Sequence, residues 1–297
     1  MRASIDEVLR VLKSPKAPAE IWQESYDRDS KVYGRLCNLS GAEPQAADLC
    51  DYSHDMLYLP LQPDLFRHLL PICLRAWRKD LFDEGSNYCG FVEHFSTALA
   101  TRLILEENLT ADQYKSVMEY MLNSVLDRMD QEEGLQFAGM GARPYRWVHA
   151  LGSFAVTFPF LHRLWESWWS MSTTGHALAV LQYISCLMYE DDRNPIFSPW
   201  TPVAGGGPPA LYETDGHIYD RGWRPENISF LEDTLSTVYL ETKLTEAAKV
   251  VRDQVSGDVP AKMIAEFGAQ RVLLESRIEQ LPILLSKPIL EVSGWLE

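Results

Sequence analysis

The chain has 297 residues and a formal net charge of −15, from 27 Lys+Arg against 42 Asp+Glu. It is 46% hydrophobic and 11% aromatic, with only 17 Gly and 17 Pro, which excludes a disordered, collagen-like or low-complexity chain. The acidic balance argues against free nucleic acid as a ligand, since phosphate binding draws most of its affinity from basic side chains.

The charge is spread evenly: residues 1–150 carry 16 basic and 23 acidic residues, and residues 151–297 carry 11 and 19. With no charged tail or arm, the negative field is expected over the whole surface, where it aids solubility and steers cationic partners. The length suits one large domain or two small ones, and we read residues 1–297 as a single helical domain with an internal boundary near 135–144. The five cysteines, Cys37, Cys50, Cys73, Cys89 and Cys186, form no C-x-x-C pair. They read as buried free thiols in a reducing compartment. The opening MRASIDEVLRVLKS is too charged for a signal-peptide core. The most apolar stretch, 177–189, is shorter than a membrane span of about 20 residues. The expectation is a soluble, cytoplasmic protein.

In chain order, helical spacing dominates. Ser4-x-x-Glu7 reads as a capping box for a first helix with Ile5, Val8, Leu9 and Leu12 as its stripe. A second helix is expected from Pro18 to about Leu39, stopped at Gly41. A third starts near Pro63 and Asp64, and Pro71 is expected to kink or split it. A fourth runs from about 87 to 107. A fifth opens on the capping box Thr110-x-x-Gln113 and ends by Gly134, with Tyr114, Val117, Met118, Met121, Leu122, Val125 and Met129 three and four apart. After a Gly-rich loop at 135–144 come helices over about 145–169, interrupted near Pro159, and about 174–189. Two more close the chain, at about 226–255 and 260–285. No βα alternation, evenly spaced strands or internal repeat appears. The fold class is all-α, a compact bundle of about ten helices.

Residues 190–225 interrupt the pattern with six Pro and five Gly, and carry Phe197, Trp200, Tyr212, Tyr219 and Trp223. Long loops without regular structure are usually functional or disordered, and disordered ones lack aromatics. An ordered segment is expected, with a β-hairpin turning at Asp215-Gly216 that sets Tyr212 opposite Tyr219. Gly205-Gly206-Gly207 matches no phosphate-loop pattern.

Two functions follow from this reading. The first is a non-catalytic acidic protein that binds a basic protein partner, such as an immunity protein neutralising a toxin. Trp200, Tyr212, Tyr219 and Trp223 would dock, with Asp191 and Asp192 beside them. The alternative is a hydrolase whose acid–base or metal chemistry uses His217 with Asp215 or Asp220, opposed by His54 and Asp55. No metal-ligand spacing, cofactor fingerprint or nucleophile motif marks either a cofactor or a metal. The histidines at 68, 94, 149, 162 and 176 fall within helical patterns, as does the triplet Trp165, Trp168 and Trp169, which shares one helix face. The pairs Glu132-Glu133 and Asp191-Asp192 read as solvated helix ends.

Overall fold

A computed structural model describes residues 5–13, 16–25, 31–39, 43–58, 60–82, 91–133, 143–189, 222–252 and 259–286. All regular structure among them is helical, in thirteen helices. The all-α expectation holds. The chain divides into two compact units, Met1–Ser124 and Val125–Glu297, the division falling within one helix. The hairpin expected at 210–219 lies outside the described residues.

The first unit holds α1 (Ile5–Leu12), α2 (Lys31–Cys37), α3 (Ala46–Tyr58), α4 (Pro63–Phe82), α5 (Phe91–Thr101), α6 (Ile104–Asn108) and the greater part of α7 (Ala111–Asp130). Its core is built on α4, which buries Leu65, Phe66, Leu69, Leu70, Cys73, Leu74, Trp77 and Leu81. The helix runs unbroken through Pro71, which is itself buried. The proline removes one backbone donor; burial of the apolar face on both sides holds the two halves in line. The Trp77 indole N–H donates to Ser96 Oγ at 2.9 Å, tying α4 to α5. The capping box at Thr110 forms in both directions. Gln113 N–H donates to Thr110 Oγ1 at 3.4 Å and Thr110 N–H to Gln113 Oε1 at 3.0 Å.

Two expectations change in this unit. Of the helix expected from Pro18 to Leu39, the described residues show α2 alone, and residues 16–25 are a non-helical strap. Gln62 Oε1 accepts from Trp22 N–H at 2.8 Å, and Gln62 Nε2 donates to the Glu20 carbonyl at 2.9 Å. The reciprocal bond runs from Gln62 N–H to Gln23 Oε1 at 2.9 Å. Cys50, read as a free thiol, is disulfide-bonded, whereas Cys37, Cys73 and Cys186 are free. Sequence spacing does not reveal which sulfurs meet in space.

The second unit holds the end of α7 with α8 (Arg143–Thr157), α9 (Leu161–Trp169), α10 (Thr174–Met188), α11 (Pro225–Thr234), α12 (Thr237–Val250) and α13 (Val259–Leu285). Its centre is α10, buried at every position from Gly175 to Met188. A helix apolar on all sides demands such a site. No helix among the described residues is long and apolar enough to cross a membrane. The break expected near Pro159 separates α8 from α9. The single helix expected over 226–255 is two. Leu235 is extended, and the Ser236 hydroxyl starts α12 by accepting from Tyr239 N–H at 3.1 Å.

Candidate functional site

Of the residues singled out by sequence, His217, Asp215, Asp220, Trp200, Tyr212, Tyr219, Asp191 and Asp192 lie outside the described residues. His54 and Asp55 lie on α3. Asp55 is buried and takes a hydrogen bond from the Tyr33 hydroxyl, to which Gln23 Nε2 also donates at 3.4 Å. Burial and the Asp55 carboxylate push the Tyr33 hydroxyl well above its ordinary pKa, so it stays a proton donor. This cluster joins the strap to α2 and α3. No group of three His, Cys, Asp or Glu fit to hold a metal forms among the described residues.

Trp223 is only 7% exposed. Its backbone N–H donates to the Leu285 carbonyl at 2.7 Å, and the next residue, Arg224, donates from Nε to the Val156 and Thr157 carbonyls at the end of α8. Trp165, Trp168 and Trp169 do share a face, and it is turned inward. Trp165 stacks on Trp169 with ring centroids 4.6 Å apart, and Tyr183 of α10 meets all three edge-on. These rings are core. Beneath them Glu132, read from sequence as solvated, is buried. It pairs with Arg128 at 3.0 Å and accepts from Gln182 Nε2 at 3.0 Å.

Large apolar side chains stand exposed at several described positions, among them Trp22 on the strap, Val238 on α12 and two residues on the outer side of α13. The helix is anchored inward by Met263, Phe267, Leu274, Leu281 and Leu285. Its polar residues on that side are also engaged. Arg277 Nη1 donates to the carbonyls of Cys186, Leu187 and Tyr189, where α10 ends with unsatisfied acceptors. Glu266 accepts from the Tyr189 hydroxyl at 2.7 Å, and burial together with this carboxylate holds Tyr189 above its ordinary pKa.

At 100° per residue, the row directly opposite this anchor contains Ala261, Ala265, Gly268, Val272, Glu275, Glu279 and Ile283. All seven are exposed, Val272 at 78% and Ile283 at 58%, with Ile264 beside them at 41%. The outer row thus carries two large apolar side chains, Val272 and Ile283, among small residues and two glutamates. Sequence reasoning placed the functional surface in 190–225 and passed over α13. The signal available was the apolar residues on both sides of its 3.6-residue period.

No protein-family model, no curated protein and no solved structure matches the chain.

Proposed function

We propose that this chain is a non-catalytic protein that binds a basic protein partner. The observation that carries the reading is the outer face of α13, where Val272 and Ile283 stand exposed in a chain of net charge −15. The two share one face of α13 with Glu275 and Glu279 between them, and exposed apolar side chains that share a face support a contact surface. The surrounding negative field favours a cationic partner by raising its encounter rate and repelling acidic competitors. An immunity protein that neutralises a basic toxin is one protein of this kind. A cytoplasmic location goes with the reading and is supported by the free thiols of Cys37, Cys73 and Cys186; the Cys50 disulfide points the other way.

The test is affinity capture. The full-length chain is immobilised, exposed to native lysate at low salt and eluted in salt steps. A basic protein retained in stoichiometric amount and released by moderate salt is the expected result. Capture of acidic proteins only, of nothing stoichiometric, or of partners indifferent to salt overturns the proposal.

A further inference from the structure

Buried indoles in this chain find a partner where the fold supplies an acceptor. Trp77 donates to Ser96 Oγ at 2.9 Å, and Trp165 to the Tyr239 hydroxyl at 3.1 Å. Three others do not. The indole N–H groups of Trp147, Trp168 and Trp169 reach no acceptor, although these residues are 0%, 0% and 2% exposed. They belong to one patch: the Trp168 ring centroid lies 5.3 Å from that of Trp147 and 5.4 Å from that of Trp169. Gln182 Oε1 is an unmet acceptor in the same unit, yet it bonds to none of them. Unmet buried donors are uncommon and costly, so three on one patch point to an occupant.

The donors also say what kind. An indole N–H only donates, and the rings around it offer no strong acceptor. A water placed there would accept from an indole and bring two donors of its own into surroundings already rich in donors. A carbonyl oxygen accepts and brings none. A charged ligand is disfavoured, because the buried Arg128 is paired with Glu132 and the net charge of −15 repels anions. The neighbouring rings of Trp165 and Tyr183 add the aromatic lining that suits an apolar body. We infer that the Val125–Glu297 unit binds an uncharged, mainly apolar small molecule whose carbonyl oxygen accepts from the indole N–H groups of Trp147, Trp168 and Trp169. Its occupancy needs no protein partner.

The test uses the full chain with isotope-labelled tryptophan, whose indole N–H signals are assigned in magnetic resonance spectra by single Trp→Phe variants. Three probes are titrated: coumarin, an uncharged two-ring lactone with a carbonyl oxygen; naphthalene, two rings without an acceptor; and a coumarin bearing a carboxylate. Coumarin is expected to move the Trp147, Trp168 and Trp169 signals downfield, as new hydrogen bonds do, and to leave those of Trp77 and Trp165 in place. Naphthalene and the carboxylate should each bind about tenfold more weakly. Trp168→Phe keeps a ring and removes a donor, so it should weaken coumarin about fivefold. Trp165→Phe removes an N–H already taken by Tyr239 and should cost less than about twofold. Circular dichroism checks the helicity of both variants, and the wild-type titration decides alone if either fails to fold. Indole signals that coumarin leaves in place overturn the proposal. Signals of these three already shifted upfield before any probe is added also overturn it, because they mark N–H···π contacts that satisfy the donors within the cluster. Naphthalene or the carboxylate binding as tightly as coumarin does the same.

Discussion

Asn227 offers the sharpest check on the packing of the Val125–Glu297 unit. It is 1% exposed, and its side chain makes three backbone hydrogen bonds across the α8–α9 junction. Its Oδ1 accepts from Leu161 N–H at 3.0 Å, and its Nδ2 donates to the carbonyls of Ala155 at 2.6 Å and Phe158 at 2.7 Å. Pro159 and the break between helices leave these groups outside any intrahelical ladder, so the amide replaces the bonds the backbone lost. Asn227→Ala removes all three. At about 1 kcal/mol net per bond, with about 1 kcal/mol more for an orphaned buried N–H, the loss comes to about 4 kcal/mol. For a unit of this size that lowers the melting temperature by about 8–16 °C. Asn227→Asp keeps the acceptor for Leu161 and sets a carboxylate against two carbonyls, so it should be at least as damaging. Urea titration followed by circular dichroism measures both. A loss under about 1 kcal/mol for Asn227→Ala would show that the junction relaxes without its amide, and the argument would fail.

The other expectations are briefer. Glu132→Ala removes a buried partner of Arg128 and should cost about 3–5 kcal/mol in urea unfolding, while Arg128→Met with Glu132→Leu together should recover most of it. A Cβ on Gly175 would lie 2.1 Å from the Asp130 carbonyl oxygen, so Gly175→Ala must push α10 off the end of α7. It should cost about 2 kcal/mol or more and raise hydrogen exchange in α10. Burial raises the hydroxyl pKa of Tyr33, Tyr52, Tyr120, Tyr189 and Tyr239. The unfolded chain therefore loses these protons first. Their stabilisation is complete below pH about 10 and is lost as pH rises above it, by about 1.4 kcal/mol per unit for each tyrosine still protonated in the fold. Tyrosinate absorbance should lag the unfolded control and then rise together with loss of helicity; titration of all five at the ordinary pH, with helicity intact, would refute this.

Much of the architecture was legible in the residues. The Thr110–Gln113 box, the three-and-four spacing after it and the stop at Pro159 each act locally, and each appears in the fold. The helix α3 was missed because its buried face includes Ser53 and Asp55, which a pattern reading assigns to solvent. Asp55 goes inside because Tyr33, 22 residues earlier, meets it there. Glu132 was misread for the same reason: its partner is a buried Arg128, and burial of a pair has no periodicity. The outer row of α13 was passed over because the aromatic 190–225 segment drew the search for a functional surface. Ser236 was the readable signal that went unused, since a hydroxyl at a helix start marks the break between α11 and α12.

The two chain ends that bracket residues 190–221 are both fastened to the same helix. On one side the Tyr189 hydroxyl and carbonyl bond to Glu266 and Arg277; on the other Trp223 N–H bonds to Leu285. Arg277 and Leu285 are separated by about 12 Å of helix, a span that about four extended residues cover. The scaffold thus contains a natural graft site, where a stretch of 32 residues leaves and re-enters over two turns of α13. Because closure entropy grows only with the logarithm of length, lengthening or shortening the chain between these anchors changes the closure cost by little.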